Sequence, residues 1–159
     1  IKYYHKKKVK IMIAGTSLFK IHRIKNSLNM ITALSLNEDE VIMLSNKKTI
    51  KESINYIINK NPKISLVITR GNKPVIMVKN KIKYRGLIPK IKIKNENGAG
   101  DAFTAMFFLC LVADFEPTLT LSLSITLGCL KVMDYRYKNL KDYDRKFQHI
   151  FKKIKINKI

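Results

Sequence analysis

Short apolar, β-branched runs separated by helix-patterned stretches set the strongest limit on what this chain can fold into. "VKIMIAGTS" from Val9 reads as a buried strand feeding a loop of small polar residues. "ITALSL" from Ile31 reads as a second, shorter strand, and "ISLVITRG" from Ile64 as the clearest buried one. Between the first two, "SLFKIHRIKNSLNMI" carries Leu18, Ile21, Ile24, Leu28 and Ile31 at three- and four-residue steps. That spacing predicts an amphipathic helix with Ser17 at its cap. "NEDEVIMLS" has an Asn cap and acids in its first turn, which suits a helix start. A further helix is expected from Thr49 to Asn59, with Ile50, Ile54, Ile57 and Ile58 on one face and Pro62 closing the section. Strands alternating with helices argue for an α/β domain with a mostly parallel sheet.

The second half changes character. Asn72 and Lys73 suggest a tight turn into "PVIMVKN", and "KIKYRG" and "IPKIKIK" continue as a β-meander. After Gly98 the pattern becomes helical: Ala99 to Val112, Thr118 to Met133, and a weaker stretch near Leu140 to Ile154. No internal repeat or low-complexity linker interrupts the chain, so one domain over residues 1–159 is expected.

Composition narrows the class of partner. A hydrophobic fraction of 46% supports a real core. The formal charge of +21 invites a nucleic-acid reading, since clustered Lys and Arg release counterions from phosphates. The placement argues against it: lysines are scattered through every segment, alternating with Ile and Asn in "KIKIKNEN" and "KKIKINKI". There is no basic cluster with interleaved aromatics, so nucleic acid is not an expected partner. Basic charge still helps a site that receives a polyphosphate. No apolar run reaches the roughly 18 residues that a membrane span needs. "IKYYHKKKVK" has no apolar core after its basic residues, so it does not read as a signal peptide, and Ile1 reads as the cut end of a longer chain. Cys110 and Cys129 sit in apolar helical stretches without CxxC spacing, which reads as buried free thiols in a reducing, cytoplasmic compartment. His5, His22 and His149 show no metal-ligand spacing.

In open α/β sheets, ligands sit beyond the carboxyl ends of the strands. Three loops fall there: Asn37 to Glu40, Thr69 to Gly71, and Gly98 to Asp101. In "NENGAGDAF", glycine removes the Cβ that would keep a ligand off the backbone and permits positive φ. The helix start that follows offers unpaired N–H donors to a phosphoryl group. A tight turn with Asp101 as a capping residue explains the same residues without a ligand. The sharper reading makes Asp101 a base: a carboxylate beside an anion pocket accepts the proton that an attacking hydroxyl gives up. The pattern is neither GxGxxG nor GxxxxGK[ST].

Those residues carry a resemblance. "NGAGDAFTAMF" resembles the second signature of the ribokinase-like (PfkB) carbohydrate kinases, in which an anion-hole GAGD precedes a long helix. The resemblance implies a three-layer α/β sandwich, Asp101 as catalytic base, and Gly98, Ala99 and Gly100 as the anion hole. "SLNEDE" is similar to the family's N-x-x-E motif, which places the organisation of Mg²⁺-bound water and phosphate on Asn37 and Glu40. "LVITRG" looks like the strand ending in T-x-G beside the nucleotide, which maps to Thr69 and Gly71. "TSLFKIHRIKNSLNMITALSLNEDE" is similar to the corresponding segment of pseudouridine kinases, with Ser17, Lys20, Ile24, Leu28, Ile31, Asn37 and Glu40 in step.

The implied partners are ATP, Mg²⁺ and a small sugar or nucleoside, and the resemblance leaves room for a homodimer. The chain also departs from the pattern. Asn95-Glu96-Asn97 replaces the usual D-T-x before Gly98, which puts the monovalent-cation site in doubt, and Glu96 adds negative charge beside the phosphates. Leu36 stands where a proline usually precedes the motif asparagine, and Arg70 inside T-x-G is either a phosphate contact or solvated. Relatives run to roughly twice this length, so the chain resembles a nucleotide-binding C-terminal half without the part that reads the sugar. Two rivals remain: another sugar or nucleoside kinase of the family, and a truncated, non-catalytic nucleotide-binding remnant.

Overall fold

The computed structural model describes residues 1–134 and 138–159. Its architecture is a three-layer α/β fold on a mixed sheet of six strands among the described residues, the strands lying side by side in the order in which the chain visits them. The chain divides into two compact units, Ile1–Gly71 with Val75–Lys83, and Asn72–Pro74 with Tyr84–Ile159.

The first unit holds α1 (Lys2–Lys6), β1 (Met12–Ala14), α2 (Leu18–Ile21), a 3₁₀ helix (His22–Met30), β2 (Ala33–Asn37), α3 (Glu38–Ser45), α4 (Ile50–Lys60), β3 (Ser65–Thr69) and β4 (Val75–Lys79). β1, β2 and β3 pair in parallel, whereas β3 and β4 pair antiparallel. The parallel part therefore coincides with the strand–helix alternation, and the hairpin after β3 makes the sheet mixed. β2 and β3 are buried along Ala33–Leu36 and Ser65–Ile68, as strands covered on both faces must be. Leu28, Ile31, Leu34, Leu44, Ile57 and Leu66 lie in one continuous core, each almost fully buried. Complete burial of one such side chain contributes about 1.5–3 kcal/mol.

α3 and α4 both start on a reciprocal capping box, Asn37 with Glu40 and Thr49 with Glu52, each satisfying two orphan donors. The long helix expected from Ser17 is instead one α-helical turn followed by the 3₁₀ helix, and the Ser17 side chain makes no capping bond. β1 is only half-buried and three residues long, less than the buried strand expected there.

The second unit holds α5 (Ala99–Val112), α6 (Pro117–Val132), α7 (Leu140–Phe151) and β6 (Lys155–Lys158), together with most of β5 (Ile82–Leu87). β6 pairs antiparallel with β5, matching Tyr84 to Lys158 and Leu87 to Lys155. "IPKIKIK" forms no strand. The amides of Lys94 and Asn95 both donate to the Val132 carbonyl, at 2.8 and 3.1 Å, and so belong to the end of α6 rather than to a ladder.

α5 and α6 pack against each other around Phe103, Phe107, Cys110, Leu121, Ile125 and Cys129. Gly128 lies at this contact: an added Cβ there would sit at ordinary van der Waals distance, 3.5 Å, from both the Ala99 carbonyl and Phe103 Cβ. The hydroxyls of Ser124 and Thr126, buried on α6, donate to carbonyls four residues back, which removes the penalty of placing them inside. α5 is apolar nearly all round, and Leu109 and Val112 remain 60% and 62% exposed.

Candidate active site

The first unit brings four of the expected site residues to one corner. Asn37 ends β2 and Thr69 ends β3, and the two are directly paired across the parallel ladder. Asn37 also caps α3: its Oδ1 accepts from the Glu40 amide at 2.8 Å, while Glu40 Oε2 accepts from the Asn37 amide at 2.9 Å. The N-x-x-E spacing is thus a capping box, in which the two motif residues fix each other before any ligand is considered. Asn37 is exposed and Glu40 is 4% exposed, so the carboxylate is held from beneath and the amide side chain faces out.

Gly15, just past β1, closes over Glu40. Its amide donates to the Ser35 carbonyl at 2.8 Å, and a Cβ at this position would overlap the Glu40 carboxylate. Sequence reading missed Gly15, because its partner lies 25 residues away (40 minus 15) and no local pattern marks the contact.

The Thr69 hydroxyl donates to the Leu36 carbonyl at 3.4 Å, stitching β3 to β2 at the same end. Gly71 has φ +61° and is exposed, with nothing within 4 Å of an added Cβ, so the turn after Thr69 leaves its backbone open. Arg70 pairs with Glu38 through Nε at 3.4 Å.

The second unit holds the other expected residues. Gly98, at φ +76°, is the N-cap of α5 and has no side-chain cap bond, and Ala99, Gly100 and Asp101 form the first turn. Only the Ala99 amide, bonded to the Glu96 carbonyl, and the Ala102 amide, bonded to the Gly98 carbonyl, find acceptors at this end. The Gly100 and Asp101 amides have none among the described residues, which leaves two donors for an anion. Gly100 is exposed, and an added Cβ there would meet nothing within 4 Å, so the approach is open. Asp101 is exposed and caps nothing. As the acidic residue of that first turn it also suits the positive end of the helix.

Residues 2–132 match the family described as pfkB family carbohydrate kinase. The chain belongs to that family. No curated protein matches it. Among solved structures, a protein described as a sugar kinase from Clostridium perfringens superposes with TM-score 0.81 at 14% identity, over 99% of this chain and 52% of that one. A protein described as ribokinase II from E. coli, solved with ATP and Mg²⁺, gives TM-score 0.75 at 17% identity, over 91% of this chain and 50% of the other. Adenosine kinase from Schistosoma mansoni, in complex with 2-fluoroadenosine, gives 0.73 at 16%, over 90% and 47%. At these identities the likeness is one of fold, and this family member spans about half the length of each structure.

Mg²⁺ usually keeps several waters and takes one or two carboxylates plus substrate phosphates. The donor set of this family member fits that mode. Glu40 is a single, fixed carboxylate, Glu38 is drawn to Arg70, and no group of three metal-ligating side chains exists among the described residues. In the loop before Gly98, where the monovalent-cation site was in doubt, Asn95 Oδ1 accepts from the Asn97 amide at 2.9 Å and Glu96 is exposed.

Proposed function

We propose that this chain is the nucleotide-binding, catalytic C-terminal portion of a cytoplasmic kinase that moves the γ-phosphoryl group of ATP to the 5′-hydroxyl of a ribosyl compound, pseudouridine in particular. The observation that carries the proposal is the start of α5, where an exposed carboxylate that caps nothing adjoins two amides without acceptors.

In this reading Asp101 accepts the proton of the attacking hydroxyl. The hydroxyl oxygen bonds to the γ-phosphorus, the bond to the bridging oxygen breaks, and ADP leaves with that electron pair. The amides of the Gly98–Asp101 turn stabilise the charge spread over the transferring group, where preorganised donors act most strongly. Asn37 and Glu40 would hold Mg²⁺ through its waters, and the bound ion would supply neutralisation of phosphate charge. Thr69 and the open turn at Gly71 flank the triphosphate. The subfamily assignment rests on the Ser17–Glu40 resemblance.

Asp101→Asn in the full-length enzyme tests the role. Turnover should fall by about 10²–10⁴-fold, the usual contribution of a positioned base, while ATP affinity stays nearly unchanged. A variant with wild-type turnover contradicts the assignment.

A second reading, a non-catalytic nucleotide-binding remnant, is favoured by the self-bonded Asn95–Asn97 loop and the exposed Glu96. ATP-dependent phosphorylation of pseudouridine by this chain, alone or with a complementing fragment, rejects it.

A further inference from the structure

The start of α5 carries one feature that the motif residues do not explain. Gly98 is faced by a side chain from α6: Lys131 Cε lies 3.0 Å and Nζ 4.0 Å from the position a Gly98 Cβ would take. Two other contacts fix this geometry within the same unit. Gly128, one turn earlier on α6, packs on Ala99 and Phe103, and the Val132 carbonyl accepts the amides of Lys94 and Asn95. Residues 128, 131 and 132 share one face of a helix, so α6 holds the whole turn, and Lys131 is its only charged member.

Lys131 is exposed and has no hydrogen-bond or ion-pair partner among the described residues. Its position in the last turn of α6 favours a cation. Its position against the first turn of α5 does the reverse, because that end already carries positive potential and unfilled N–H donors. Neither Asp101 nor Glu96 lies within salt-bridge distance of it. Two sources of positive potential therefore meet at one glycine without a protein anion between them.

We propose that Lys131 is the cationic contact for the phosphoryl end of the nucleotide at the Gly98 corner. The assignment rests on the kinase reading above and adds to it a residue outside every motif that identified the site. It also gives the exposed Glu96 a counterweight. The ammonium offsets the negative charge brought beside the phosphates, and an anion arriving at the turn completes the arrangement. Gly98 is then favoured for its positive φ, which leaves the turn open beside the lysine stem.

The experiment is a pair of titrations, ATP and adenosine, against the wild-type protein, Lys131→Met and Lys131→Arg, with melting curves to establish that all three fold. Lys131→Met should weaken ATP binding by about 10- to 100-fold, the range of a charge-assisted hydrogen bond, and leave adenosine binding unchanged. Lys131→Arg should recover most of the loss, and the wild-type preference for ATP over adenosine should narrow as salt is raised. Equal ATP affinity in wild type and Lys131→Met overturns the assignment alone. A parallel loss for adenosine also overturns it, by making the residue a support for the fold. If the wild-type protein binds no ATP at all, the kinase reading falls and takes this assignment with it.

Discussion

Replacing Gly15 by alanine probes the corner of the first unit most directly. The added Cβ would overlap the Glu40 carboxylate and lie 2.7 Å from Oε1. That carboxylate is not a loose end: Glu40 is 4% exposed and its Oε2 is bound to the Asn37 amide at 2.9 Å. Overpacking of this kind costs about 1–3 kcal/mol, and losing the Asn37 bond adds about 1 kcal/mol. The expected loss is about 2–4 kcal/mol, which at about 2–4 °C per kcal/mol for a chain of this size lowers the melting temperature by about 4–16 °C. Circular dichroism melts measure it.

Gly71→Ala is the control. Its Cβ would meet nothing within 4 Å, so only the left-handed backbone at φ +61° is penalised, by about 1–2 kcal/mol. The decisive variant is the double, Gly15→Ala with Glu40→Ala. Removing the carboxylate removes the overlap, so the double should be more stable than the two singles imply by about 1 kcal/mol or more. A Gly15→Ala protein that melts with wild type, or strict additivity in the double, refutes the reasoning.

Two further outcomes follow from titratable groups. Asp142 is held below the usual carboxylate range, first by the Lys138 amide that donates to it and then by Arg145, whose guanidinium lies 2.8 Å away. A depressed carboxyl stabilises the fold above its unfolded value and loses that contribution as pH falls through the folded one. The melting advantage of wild type over Asp142→Asn should therefore be full at neutral pH and vanish in acid, and an advantage that grows in acid contradicts the sign. Burial raises the Cys129 thiol to about 11 and raises that of Cys110 in the same direction. Alkylation of the folded protein by iodoacetamide at pH 8 should accordingly be slow at both and accelerate on unfolding, and prompt modification of Cys129 in the native state counts against its burial.

Much of this architecture is readable residue by residue, for physical reasons. α5 runs over the expected Ala99–Val112 because a positive-φ glycine marks its start and an unbroken apolar run sustains it. α3 and α4 are legible because their capping boxes are local in sequence. The 3₁₀ helix escaped notice because apolar residues three apart, such as Ile21 and Ile24, suit either helix, and only Leu28 needs the wider step. β6 was missed because "KINK" offers one apolar residue and takes its order from β5. "IPKIKIK" alternates like a strand, yet its last amide goes to the end of α6. Asn37, Glu40, Thr69 and the Gly98–Asp101 turn were visible as motifs, whereas Gly15 and Lys131 act through contacts 25 and 33 residues away (40 minus 15, 131 minus 98). Spacing within a segment does not encode those.

Because Asn37 and Glu40 satisfy one another, the elbow between β2 and α3 needs no guest to keep its shape. On the proposed reading, handling of a metal-bound nucleotide and the integrity of the polypeptide draw on the same atoms. A change at either position should register in expression yield and heat tolerance before any turnover assay is run, even in a chain that never transfers a phosphate.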